Sequence, residues 1–141
     1  MNWEKSCGAL VYTVRDGQPL FVIVQEMAGA YSFPKGHMEA GETEMETACR
    51  EIWEEIRLRP KFVDGFRITD EYDLKEKPGT RKQIVYFLAE YGDEVLTPLE
   101  GEIRRVLLVP REEVHQYLDN ESTRKMFDAA CDYLMEYLRT R

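Results

Sequence analysis

The sequence predicts an α/β fold in which a mixed β-sheet carries helices packed against it. Three observations lead there. Apolar, β-branched runs such as "SCGALVYTV", "LFVIVQE" and "KQIVYFLAEY" read as strands. Two stretches with apolar residues at helical spacing, one after Gly41 and one from about Ser122, read as amphipathic helices. Their order, strands, helix, strands, helix, is not the regular alternation that builds an all-parallel sheet. At 141 residues the chain is long enough to bury a real core, and a single domain over 1–141 is expected.

The first two strands, 6–14 and 20–26, flank the turn "RDGQP". Residues 27–41, with three glycines and a proline, read as loop. Thr43 and Glu46 then match a capping box, in which hydroxyl and carboxylate satisfy each other's orphan backbone amides. Met45, Cys49, Ile52 and Ile56 follow at helical spacing and are expected to face the core, with Trp53 also read as packing. "KFVDGFRITDEY" and "KQIVYFLAEY" read as strands around the polar turn "DLKEKPGT". "RRVLLV" is a further strand stopped by Pro110, and "REEVHQYL" a short helix. In the last helix Phe127, Ala130, Leu134 and Leu138 form the apolar stripe.

Composition excludes several classes. With 43% hydrophobic and 33% charged residues the chain is globular, not disordered. A net charge of −8 disfavours a general nucleic-acid or anionic-membrane partner. Cys7, Cys49 and Cys131 are odd in number and lack paired spacing, which argues against a disulfide framework or zinc site and fits a reducing cytoplasm. No apolar run approaches membrane-spanning length, and the start has no signal-peptide pattern.

The segment "REIWEE" places Glu51, Glu54 and Glu55 on one helix. At roughly 100° per residue, these carboxylates share an arc of about 100° beside the buried face. Like charges at that spacing repel, by about 0.2–0.5 kcal/mol per pair. Glu54 and Glu55 also lie toward the negative end of the helix dipole. A divalent cation would offset both penalties, and an oxygen-only ligand set favours magnesium or manganese over zinc. A solvated acidic face, eased by the Arg50–Glu54 pair four residues apart, is the competing reading.

Read with the preceding loop, "GHMEAGETEMETACREIWEEIRL" resembles the Nudix box, the signature of the Nudix hydrolase superfamily. Eight of its nine defined positions match with spacing intact; Arg57 stands where the family has glycine. Glycine there suits a left-handed helix end, a conformation that costs arginine about 1 kcal/mol. The resemblance implies an α/β/α sandwich, a divalent metal and hydrolysis of a diphosphate linked to another moiety. By position, Glu51, Glu54 and Glu55 match the metal-ligand glutamates and the Gly36 carbonyl a backbone ligand. Arg50 matches the residue that orients a neighbouring glutamate, and Glu42 a structural box residue. The general base is either Glu51 or a glutamate outside the box, for which Glu102, also an expected metal ligand, is preferred and Glu100 is the fallback.

"FPKGHMEAGE", "DGFRITDEY" and "KQIVYFLAEY" further resemble the diadenosine tetraphosphate hydrolases, and the box form is shared with diphosphoinositol polyphosphate hydrolases. That resemblance implies that Lys35, His37 and Lys82 contact the polyphosphate, and that Tyr86 stacks against or borders the base. Tyr133 and Tyr137 are read as helix packing, with closure of a nucleotide pocket as the alternative. The implied reaction splits diadenosine tetraphosphate into ATP and AMP. RNA 5′ ends, nucleoside triphosphates, nucleotide sugars and inositol pyrophosphates are the alternative substrates, and a non-catalytic nucleotide sensor is the remaining class. Oligomeric state is open.

Overall fold

In the computed structural model, which describes residues 2–141, one mixed sheet separates two apolar layers. Its strands are β1 (Asn2–Arg15), β2 (Gln18–Glu26), β3 (Tyr31–Ser32), β4 (Lys35–His37), β5 (Lys61–Phe62), β6 (Ile68–Asp73), β7 (Thr80–Glu90) and β8 (Ile103–Pro110). The helices are α1 (Glu44–Ile56), α2 (Arg111–Val114) and α3 (Glu121–Thr140), with one 3-10 turn at His115–Tyr117 between the last two. β1 and β7 run parallel at the centre, and every other pairing is antiparallel.

The alternation of each strand sorts its side chains between the layers. Leu10 and Tyr12 of β1 join Ile84, Tyr86 and Leu88 of β7 in the layer that α3 covers with Phe127, Ala130 and Leu134. Cys7, Ala9 and Val11 join Val85 and Ala89 in the opposite layer, covered by Ala48, Ile52 and Ile56 of α1. The result is the expected α/β/α sandwich. All three cysteines are free. Among the described residues no helix is long and apolar enough to cross a membrane.

Several elements differ from the sequence reading. β1 starts at Asn2, four residues early, because its parallel ladder with β7 already runs from Asn2 opposite Thr80. The loop before α1 contains β3 and β4, short strands whose partners are β2 and β1. "KFVDGFRITDEY" is two strands, since Gly65 turns the backbone at φ 80°. Met45 and Cys49 are exposed, not core. Ala48, Ile52 and Ile56, four apart, make the sheet contact; Cys49 falls at the edge of that stripe, and Met45 lies in the first turn.

α1 opens on the capping box as expected: Thr43 Oγ1 accepts from Glu46 N–H, and Glu46 accepts from Thr43 N–H. It ends on Arg57 at φ 54°, ψ 45°, the left-handed region, where the backbone N–H bonds the Trp53 carbonyl at 2.9 Å. The guanidinium carbon of Arg57 lies 5.3 Å from the Trp53 ring centroid, and that of Arg59 lies at 4.2 Å. Arg57→Gly removes about 1 kcal/mol of backbone strain and forfeits about 0.5–1 kcal/mol of cation–π contact. Thermal melting is expected to show an unchanged or slightly raised midpoint. A clear fall would mean that the Trp53 contact outweighs the strain.

Candidate active site

Arg50 organises the box. Its Nε donates to Glu42 Oε2 at 2.7 Å, and Nη2 donates to Glu42 Oε1 at 3.0 Å. Nη1 reaches Glu51 at 2.7 Å and Glu54 at 3.2 Å, and Nη2 also donates to the His37 carbonyl at 2.9 Å. One planar guanidinium thus ties three carboxylates to the backbone of β4. Glu42 further accepts from the Thr47 hydroxyl and the Glu39 N–H. The Arg50 hydrogen bonds, joined by these two, hold its carboxyl down at about 2. Glu42 is therefore a fixed anchor for Arg50.

β4 lies so close to α1 that a side chain at position 36 would displace the Glu51 carboxylate. A Cβ there would stand 2.0 Å from the Glu51 carboxylate. Gly8 on β1 is packed against less yielding atoms: a Cβ would meet the Pro34 carbonyl at 2.0 Å and Lys35 Cβ at 2.6 Å. These two contacts seat β4 between β1 and the acidic helix. The Lys35 N–H consequently donates to Glu55 Oε1 at 3.2 Å.

Burial pushes the Glu51 carboxyl up, against the pull of Arg50. Burial, and then the charge of Glu51, push the Glu55 carboxyl up to about 8. Two crowded, partly buried carboxylates beside a carbonyl-bearing glycine form a hard, oxygen-rich donor set that fits magnesium or manganese. Among the described residues no three acidic, imidazole or thiol side chains already converge as a cage.

The expected phosphate contacts gather at the junction of β1, β4 and β7. Register sets His37 opposite Ser6, Lys35 opposite Gly8 and Lys82 opposite Glu4. Lys82 is only 6% exposed; its Nζ donates to Ser6 Oγ at 2.7 Å and lies 3.3 Å from His37 Nε2. Burial, then the Lys35 charge, push the Lys82 amine down to about 8. His37 is exposed, 3.6 Å from the Glu4 carboxylate.

A cleft of about 510 Å³ opens on the α3 side of the sheet. Lys35, Glu26, Tyr31, Tyr72, Tyr86 and Asp70 contribute to its wall, and the start of α3 closes one side with Asn120 and Thr123. Tyr86 borders this cleft, but its ring is 2% exposed and packed edge-on to Phe33 at 5.7 Å, so it offers no open face for stacking. Tyr31 and Tyr72, only partly buried, are the available aromatic surfaces. Tyr133 packs on Phe66 and Tyr137 borders a separate cavity with Arg141, so neither closes the cleft. Glu102 and Glu100 line none of the three described cavities; of the glutamates outside the box, Glu26 and Glu76 line this cleft. Sequence reasoning missed Glu26, Asp70, Tyr72 and Thr123.

The NUDIX domain family model matches residues 5–130. The asymmetrical bis(5′-nucleosyl)-tetraphosphatase of Sus scrofa is 33% identical over 100 residues, covering 63% of this chain and 66% of that protein. Its Mus musculus counterpart is 36% identical over 78 residues, covering 52% of this chain and 51% of that protein. The matched stretch thus spans less than two thirds of either relative. An Ap4A hydrolase of C. elegans, solved as a binary complex, superposes with a TM-score of 0.85 at 22% identity, covering 94% of this chain and 98% of that one. The superposition confirms the fold, and the family match runs through both the acidic helix and the cleft: the chain belongs to the NUDIX domain family.

Proposed function

We propose that the protein is a metal-dependent hydrolase of dinucleoside polyphosphates that cleaves diadenosine tetraphosphate to ATP and AMP. One observation carries the reading: Lys35 joins the two halves of the site. Its backbone N–H bonds Glu55 of the acidic helix, while the same residue lines the aromatic cleft. A nucleoside in the cleft therefore leads its phosphates directly toward the carboxylates. The relatives named bis(5′-nucleosyl)-tetraphosphatase support this substrate.

The Gly36 carbonyl, Glu51, Glu54 and Glu55 are the proposed ligands for Mg2+ or Mn2+, which supplies charge neutralisation and a more acidic water at the phosphorus. Arg50 aims Glu51 and Glu54, and Glu42 holds Arg50. Lys35, His37 and Lys82 are the proposed contacts of the polyphosphate, with the two lysines supplying positive charge. Of the two residues expected as general base, Glu51 is the one proposed. It lies against Gly36, and Arg50 fixes its carboxylate within the box.

The cleft lining also bears on the alternatives. Glu26, Asp70, Asp73 and Glu76 make it a poor host for an inositol pyrophosphate, whose phosphates surround the ring. The test is a hydrolysis panel with magnesium: dinucleoside polyphosphates, nucleoside triphosphates, nucleotide sugars and 5′-triphosphate RNA, with products identified. Diadenosine tetraphosphate is expected to be turned over best, giving ATP and AMP. A better rate on a nucleotide sugar, or two ADP as products, would contradict the substrate reading.

A further inference from the structure

Asp70 is 2% exposed, yet it belongs to the wall of the cleft. Its Oδ2 accepts from the Thr123 hydroxyl at the start of α3. Its Oδ1 is buried without a hydrogen-bond partner. Buried polar atoms are almost always paired, because stranding one forfeits its hydration. An orphan acceptor in a cleft wall therefore marks the place where a ligand donor belongs. Thr123 fixes the carboxylate, so one oxygen is left to read one donor.

The rest of the cleft says which donor. Glu26, Asp73 and Glu76 outnumber Lys75 and leave the charge around Asp70 negative, which repels phosphate, while Lys35 borders the acidic helix through its N–H bond to Glu55. The uncharged end of a nucleotide thus enters, and partly buried Tyr31 and Tyr72 give its base aromatic surface. A guanine edge presents two adjacent donors and would ask for both carboxylate oxygens. Adenine presents a single exocyclic amine. We propose that Asp70 is a specificity-determining residue whose Oδ1 accepts a hydrogen bond from the 6-amino group of a bound adenine, so that the cleft selects 6-aminopurine over 6-oxopurine nucleotides.

The inference rests on the nucleotide reading of the cleft but not on hydrolysis, so a binding experiment separates the two. Calorimetric titration of the full chain uses AMP, IMP, 2′-deoxy-AMP and purine riboside 5′-monophosphate, which lacks the amine. Wild type is expected to bind AMP about tenfold or more tightly than IMP or the purine riboside compound, because each leaves Oδ1 unpaired and IMP also opposes it with an oxygen. It should bind 2′-deoxy-AMP like AMP. Asp70→Asn turns an amide N–H toward the base and is expected to abolish or reverse the AMP preference while its melting curve stays cooperative. Should that variant fail to fold, the wild-type ratios alone decide.

Equal affinity of wild type for AMP and IMP overturns the proposal and assigns Oδ1 to a protein partner such as Ser122, whose buried Oγ is also unpaired. A selective loss with 2′-deoxy-AMP overturns it in favour of a ribose hydroxyl. No saturable binding by AMP overturns it outright, as does an unchanged AMP preference in a folded Asp70→Asn variant. AMP selectivity without turnover of diadenosine tetraphosphate would leave Asp70 as proposed and refute only the hydrolytic substrate. Turnover with no AMP preference would do the reverse.

Discussion

Glu55→Gln is expected to reduce hydrolysis by about 100- to 1,000-fold while the protein stays folded. Glutamine is isosteric and can still accept the hydrogen bond that Lys35 N–H donates to Glu55, so the junction of β4 and α1 survives. What disappears is one anionic ligand at the point where charge develops during phosphoryl transfer. Magnesium should raise the melting temperature of wild type more than that of the variant, because a ligand stabilises the state that binds it. Near-normal turnover with equal magnesium responses would return Glu55 to the class of ordinary helix carboxylates.

The two close-approach glycines should fail in opposite ways. At Gly36 the added methyl meets the end of a flexible side chain, the Glu51 carboxylate, which can swing aside. Gly36→Ala is therefore expected to cost about 100-fold or more in activity, with a melting temperature within about 3 °C of wild type. At Gly8 the methyl meets the Pro34 carbonyl and the base of Lys35, and neither can rotate away. Gly8→Ala is expected to lose about 3 kcal/mol or more, a melting shift on the order of 10 °C. Activity assays and thermal melts of both variants check the contrast. A stable, active Gly36→Ala protein would mean that Glu51 does not need its observed place.

The acidic helix was legible in the sequence because its logic is local. Thr43 and Glu46 cap it, and Arg50, Glu51, Glu54 and Glu55 sit within one and a half turns, so spacing alone groups them. The mixed sheet with helices packed on it was legible for a similar reason: the apolar runs of β1 and β7 and the stripe on α3 each announce burial. Met45 and Cys49 show the limit of that argument, since helical spacing cannot tell the centre of a stripe from its edge.

The cleft was not legible, because its wall is assembled across long separations. Asp70 and Thr123 are 53 residues apart and meet only once α3 packs on β6. A local trace did exist. Ile68, Asp70 and Tyr72 alternate on one face of β6, so an aspartate occupies a core-facing phase, a placement that calls for a partner. Tyr86 lines the cleft, as the bordering alternative requires, but Phe33 packs on its ring, and no sequence pattern reveals that neighbour.

Glu51 and Glu54, arranged by Arg50, and Glu55, bonded to the Lys35 N–H, are proposed to hold a divalent cation beside the cleft. Manganese binding followed by electron paramagnetic resonance is the decisive measurement, since free Mn2+ gives a signal that binding removes. Wild type is expected to deplete the free signal saturably, with magnesium competing for the same site, and Glu55→Gln should bind at least tenfold more weakly. Identical titrations for wild type and Glu55→Gln, or no depletion by wild type at millimolar manganese, would contradict the account.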